Sequence, residues 1–172
     1  MSVGTTRTTG SAGPAIDLSA FLAGDLTEMG ATVLLNNIGW EYGTEANQVN
    51  VIYADTIPIG DGDTIAFNLN TGAPGSYVDI FERALTLTAV KLVYVKNNSS
   101  DATLEILGIG ATTLSICKGD DDIIKIKPGG TFMWTDPSAA GTDCATDVSF
   151  RLVHDGTGSD SMNVDMIVMG LD

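Results

Sequence analysis

Cysteine is scarce. Only Cys117 and Cys144 occur in 172 residues, and their separation matches no zinc-ligand spacing. A disulfide scaffold or a zinc-stabilised module is therefore excluded, and at this length neither is needed, because such a chain buries roughly two-thirds of its unfolded surface. Sequence leaves open whether the two thiols pair or sit reduced and buried. Cations are also few: Lys and Arg number 8 against 22 Asp and Glu, a formal charge of -14. That balance excludes nucleic acid, whose binding is driven by Lys and Arg displacing counterions, and it repels anionic lipid. No apolar run approaches the roughly 20 residues that cross a bilayer as a helix. After Met1 the chain carries a lone Arg7 and no apolar stretch of signal-peptide type, so the expectation is a protein made and kept in a cytoplasm.

What the chain has in quantity is glycine, 20 copies, set between short apolar runs that alternate with polar residues. Lys91 to Gly130 shows the pattern best, with Asn-Asn-Ser-Ser, Gly-Ile-Gly, Lys-Gly-Asp and Pro-Gly-Gly separating runs of period two. Strands are expected over 31–35, 48–57, 64–69, 85–96, 102–107, 112–117, 123–127, 131–134, 147–154 and 163–169. Ten short strands at this spacing predict an all-β fold, a two-sheet antiparallel sandwich or jelly roll. In 85–96 the apolar phase slips between Ala89 and Val90, which calls for a bulge or a strand buried on both faces. Strands 147–154 and 163–169 are separated by Asp-Gly and Gly-Ser, turn chemistry that predicts a hairpin. Pro128 lacks the donor a central ladder needs, so Pro128-Gly129-Gly130 ends one strand and turns the chain into the next.

The domain reading follows. Residues 1–16, rich in Gly, Ser, Thr, Ala and Pro with Arg7 as their single charge, form an N-terminal arm, either frayed or ordered against a neighbour on assembly. Residues 17–172 form one sandwich, opened by a turn or two of helix near 16–24, which Asp17 or Ser19 caps and Gly24 stops.

No catalytic set emerges. His154, the single histidine, stands at a strand end beside Asp155 with no nucleophile motif in reach, and is read as a surface residue. The turns holding Asp61 and Asp63, and Asp120 and Asp122, offer the oxygens that Ca²⁺ prefers, without EF-hand spacing; as solvated turns they need no ion. No cofactor is expected. For contact with other proteins the candidates are Arg7 in the arm, Trp40 and Tyr42 in a loop-like segment, read either as exposed anchors or as a local core plug, and Trp134, read as core or as a subunit contact.

The segments GTEANQVNVIYADT (43–56), DGDTIAFNLN (61–70), LTAVKLVYVKNNSSDATLEILG (87–108), IKIKPGGTFMW (124–134) and the final Val164-Asp165-Met166-Ile167-Val168-Met169-Gly170 resemble, in this order, small virion structural proteins of tailed bacteriophages. The chain departs from that pattern at 116–122 and around Cys144. The resemblance implies a location on the virion, with assembly in the host bacterial cytoplasm. Combined with the acidic surface and the arm, it leads to the expectation of a non-enzymatic, homo-oligomeric capsid decoration or cement protein that binds neighbouring major-capsid subunits. A tail or fibre-attachment protein fits the same features. So does a carbohydrate-binding sandwich on a fibre that stacks sugar on Trp40 or Trp134.

Overall fold

The computed structural model describes residues 40–71, 77–108, 122–144, 149–156 and 161–172. Among the described residues, β-branched and aromatic residues in alternating runs build eleven strands: β1 (Glu41–Tyr42), β2 (Gln48–Val49), β3 (Val51–Gly60), β4 (Thr64–Asn68), β5 (Ala89–Asn97), β6 (Leu104–Gly108), β7 (Ile123–Ile126), β8 (Thr131–Thr135), β9 (Thr142–Asp143), β10 (Ser149–His154) and β11 (Ser161–Leu171). There is no helix among the described residues.

The strands form two antiparallel sheets, so the fold is all-β and sandwich-like. One sheet runs β4-β10-β6-β7; the other runs β3-β11-β5-β8, with β9 also paired to β5. The short β1 and β2 pair in parallel apart from both. Alternation brings one face of each sheet into a shared core. Val51, Tyr53, Ile57 and Ile59 of β3 and Met162, Val164, Met166 and Val168 of β11 meet Phe67 of β4, Leu104 and Ile106 of β6, and Phe150 and Leu152 of β10. At its centre Phe67 lies 5.3 Å from the Tyr53 ring, 4.5 Å from that of Tyr77 and 5.6 Å from that of Phe150.

The bulge appears where the phase slips. Met169 pairs with Leu92 and Gly170 with Val90, which leaves Lys91 as the extra residue of β5. Its side chain is buried, and its ammonium donates to the Glu45 carbonyl at 2.8 Å. The rest of β5 is buried almost throughout, so both halves of the expectation hold. The strand expected from residue 85 begins at Ala89 instead. Leu85 and Leu87 do enter the core, but their N–H groups bond to Tyr77 and Leu69 outside a ladder. The Pro128 turn behaves as expected: β7 ends at Ile126, Gly129 takes φ 70°, and β8 starts at Thr131 in the other sheet.

The expected hairpin between 147–154 and 163–169 does not form. β10 lies between β4 and β6, whereas β11 lies between β3 and β5, so the chain passes from one sheet to the other between His154 and Ser161. Both strands are central, and each reaches two partners only by parting from the other. The arm over 1–16, the helical turn near 16–24 and the strands at 31–35 and 112–117 lie outside the described residues.

Candidate interaction surface

Trp40 takes the core-plug alternative. Only 3% of it is exposed, and its indole Nε1 is buried with no hydrogen-bond partner among the described residues. Segment 40–50 looks loop-like, but it folds down onto one end of the five-stranded sheet. The Lys91 ammonium reaches the Glu45 carbonyl, Asn47 N–H donates to Pro137 O, and Asn50 N–H donates to Gly170 O. Tyr42, two residues on, is 43% exposed. Trp134 lies on β8 and packs, partly buried, against the core, in line with the core alternative. Arg7 lies outside the described residues.

His154 is corrected. It is buried, because β10 is the second strand of its sheet, paired on both sides. Its Nδ1 accepts the Gly156 N–H at 3.1 Å, and its Nε2 is buried with no hydrogen-bond partner among the described residues. Asp61 approaches Nδ1 at 3.6 Å from the tight Gly60–Asp63 turn, in which Asp63 N–H donates to Gly60 O. Asp61 and Asp63 are both exposed there; Asp122 is exposed at the start of β7, and Asp120 lies outside the described residues. Among the described residues no group of three or more His, Cys, Asp or Glu is placed to hold a metal ion.

Cys144 is a free, buried thiol that donates to Leu87 O at 3.4 Å, and Cys117 lies outside the described residues. Burial first, and the charge of Asp143 second, push the thiol up to about 12 from its usual 9.0. The thiolate is the reactive form, so native Cys144 should alkylate roughly a thousandfold more slowly at pH 8 than the same residue in unfolded chain. Mass spectrometry after iodoacetamide treatment of a Cys117→Ser protein, with and without urea, checks this expectation.

The surface feature that periodicity does not reveal is the segment 77–85. It is organised by Asp79, whose Oδ1 accepts the N–H groups of Phe81 and Arg83, both at 2.9 Å, while Oδ2 accepts Arg83 Nε at 2.7 Å. That carboxylate, its strongest partner, raises the Arg83 guanidinium further. Arg83 also donates to the Asn50 carbonyl at 2.8 Å and stands 5.4 Å over the Phe81 ring. The tight turn sets Glu82 at φ 63° and leaves Val78 47% and Phe81 51% exposed. The residues Val78, Ile80 and Phe81 do not alternate, so a period-two pattern has no purchase on them. The local cue is an Asp four residues before an Arg, with aromatic residues between and before them.

Beside this loop a recess of about 310 Å³ opens, lined by Tyr53, Asp55, Tyr77, Val78, Asp79 and Ile80. Among the described strands β3 lies at the end of the five-stranded sheet. Asp55 shares the parity of the buried Tyr53 and Ile57 yet is exposed. Asp55 Oδ1 accepts the Thr56 N–H at 2.8 Å and Oδ2 faces the Tyr53 hydroxyl at 3.4 Å. Burial, reinforced by the Asp55 charge, raises both the Tyr53 and the Tyr77 phenols, so both stay neutral.

No protein-family model matches the sequence, and no curated protein matches it. Among solved structures, the fold is similar to that of PliG from Aeromonas hydrophila, a periplasmic inhibitor of g-type lysozyme. The likeness has a TM-score of 0.36 and 13% identity, and covers 75% of this chain and 90% of that one.

Proposed function

We propose that this chain is a non-enzymatic structural protein of a bacteriophage virion, a capsid decoration protein that binds major-capsid subunits. The observation that supports contact with another protein is the exposed Val78 and Phe81, on a loop held by the Asp79–Arg83 pair, together with the exposed Tyr42 on β1. Exposed aromatic residues on a fixed loop are good anchors because few rotamers are lost when they are covered. The formal charge of -14 keeps such a surface soluble until a complementary face meets it. The resemblance of residues 45–170 to small phage virion proteins supports the particle as the setting. The carbohydrate alternative loses its platforms, since Trp40 is buried and Trp134 packs against the core.

Copy number tests the reading: quantitative mass spectrometry of purified particles should find the chain near the abundance of the major capsid protein, and a handful of copies per particle would overturn it. The anchors have a test of their own. Tyr42→Ser with Phe81→Ser should weaken co-sedimentation with particles lacking the chain by about tenfold to a hundredfold, the usual range for two anchors. The melting temperature should stay within a few degrees, as both side chains are half in solvent.

A further inference from the structure

The five-stranded sheet has two faces, and the sandwich core uses one of them. Val93, Val164 and Val168 belong to that core, whereas Ile52, Leu92, Tyr94, Ile167 and Met169 point the other way, because side chains alternate along a strand. Register gathers these five into a single patch: Met169 lies between Ile52 and Leu92, and Ile167 lies opposite Tyr94. Each is 6% exposed or less, as deep as the core, yet none is part of the core cluster. The second sheet packs on the opposite face, and the other described segments nearby run along the rims. Asn50 N–H bonds to Gly170 O and Asn47 N–H to Pro137 O at one end, while Ile80 N–H bonds to Ile52 O beside β3. Towards β8 the sealing stops, for Met133, opposite Tyr94, is 47% exposed. At the far end of the patch stands Asp165, which is 1% exposed. Its Oδ1 accepts the Thr56 hydroxyl at 2.8 Å, and its Oδ2 has no hydrogen-bond partner among the described residues. A buried carboxylate oxygen calls for a donor from whatever covers it.

We propose that this outer face is the docking site of residues 29–39 of the same chain, which cover β11 with the adjoining parts of β3 and β5 and leave β8 open. The inference stands apart from the capsid reading. Position supports this occupant first. The segment runs into Trp40, which is buried, and residues 45–50 just beyond are fastened to Lys91 and Gly170, the neighbours of Leu92 and Met169. From Met169 to Asp165 the patch is about 13 Å long, well within the reach of eleven residues starting at that end. Composition supports it second. Met-Gly-Ala-Thr-Val-Leu-Leu-Asn-Asn-Ile-Gly carries no charged side chain; Val33, Leu34, Leu35 and Ile38 can cover apolar atoms, and the Asn36 and Asn37 amides are neutral donors for Asp165. Residues 2–15, by contrast, offer Val3 as their one large apolar side chain. A second copy is the weaker candidate, because two chains of formal charge -14 repel and would bring Asp165 up to the acidic surface of its neighbour. A tethered segment pays no such approach, since its effective concentration at the face is set by a short connection.

The experiment is nuclear magnetic resonance of the full chain, carbon-13 labelled in its Ile, Leu, Val and Met methyl groups. Overhauser contacts should run from methyls of residues 29–38 to those of Ile52, Leu92, Ile167 and Met169. In a mixture of labelled and unlabelled chains, filtered for contacts between the two, these cross-peaks should be missing. A soluble gadolinium chelate should relax the Met133 methyl at least about fivefold more than those of Ile167 and Met169. Leu34→Ser with Leu35→Ser removes apolar cover on both parities of the segment, so relaxation of Ile167 and Met169 should rise about threefold while Val164 and Val168, on the core face, change little. The proposal is overturned if residues 29–38 make no contact with the four named methyls, or if the contacts appear in the filtered spectrum and so come from another chain. It is overturned equally if the double variant leaves Ile167 and Met169 as protected as before. Should Val164 rise as much as Ile167, the variant has unfolded globally, and the wild-type contacts decide alone.

Discussion

Replacing Asn97 by alanine is expected to lower the unfolding free energy by about 3 kcal/mol or more, which for a chain of this size moves the melting temperature down by roughly 6–12 °C. Asn97 is the last residue of β5 and is fully buried. Its Nδ2 donates to Ala102 O at 2.8 Å and to Ile126 O at 3.0 Å, and its Oδ1 accepts the Ser99 N–H at 2.9 Å. The main chain adds more: Gly129 N–H donates to Asn97 O, and Asn97 N–H donates to Gly130 O. One side chain thus ties the end of a strand in the five-stranded sheet to the run into β6 and to the last residue of β7, both in the other sheet. Alanine strands two carbonyls and an N–H in low-dielectric surroundings, each at about 1–3 kcal/mol before relaxation and water entry recover part of the loss. Aspartate should be worse still, because it keeps the acceptor but aims a buried negative charge at two carbonyl oxygens. Asn98→Ala is the control. That side chain is exposed, and only its backbone N–H is held, by Asn163 O, so its melting curve should overlay the wild type. Equal losses at 97 and 98 in thermal or urea denaturation would show that the turn matters as a whole and that the Asn97 amide does not.

The Asn97 knot illustrates what was legible in the sequence and what was not. Asn-Asn-Ser-Ser announces a turn by composition, and β5 and β6 do flank it. Nothing local says which asparagine faces inward, because that depends on carbonyls contributed from as far as 29 residues along the chain. The same division holds elsewhere. Alternation in Phe150 and Leu152, and in Val164, Met166 and Val168, correctly marks strands with an apolar face. The hairpin drawn between them failed because turn chemistry is local whereas partner choice is not: two central strands each find neighbours in opposite sheets. Trp40 stays open between exposure and a core plug for a related reason. The turn residues around it are real, yet its burial comes from three tertiary hydrogen bonds that fasten 45–50 to Lys91, Pro137 and Gly170. The phase slip in β5 was readable because a bulge alters periodicity itself.

The candidate surface was less visible than the core. Tyr42 stood out as an aromatic residue with few strand signals around it. Val78, Ile80 and Phe81 carry no periodicity, and the Asp79–Arg83 pair that organises them looks, in sequence, like any pair of opposite charges. Asp55 falls on an inward position of a clear strand, where a charge reads as an inconsistency. Its exposure goes with the place of β3 at the end of its sheet among the described strands, and only the assembled sheet order shows that. Places where a local rule is broken in an otherwise consistent strand are where a function is most profitably sought.

Gly170 carries the second large expected effect, and its sign is decided by steric fit. Glycine inside a strand ordinarily weakens it, so alanine there should stabilise by a few tenths to about 1 kcal/mol through lost freedom of the unfolded chain. At 170 the outcome reverses. The residue sits in the central strand β11, opposite Val51 of β3 and Val90 of β5, where the register shift around Lys91 draws the two backbones together. A Cβ at this position would fall far inside van der Waals contact with the Ala89 carbonyl oxygen, and within 3.1 Å of the Ala89 carbonyl carbon and 3.0 Å of Leu87 Cδ2. The obstacle is mostly backbone, which cannot rotate aside, so β11 must part from β5 or the bulge must be rebuilt. Either change disturbs the Asn50 N–H bond to Gly170 O and the packing of Leu87. Gly170→Ala should therefore cost about 3–5 kcal/mol, at the upper end for a single added methyl group. Gly62→Ala separates crowding from conformation. That glycine holds φ 68° in the β3–β4 turn, and an added methyl would meet no atom within 4 Å, so only the left-handed backbone is penalised, by about 1 kcal/mol. Urea unfolding of the two variants side by side should place Gly170→Ala well below Gly62→Ala. The reverse order would mean that the approach of Ala89 to Gly170 relaxes freely and that the bulge at Lys91 does not depend on it.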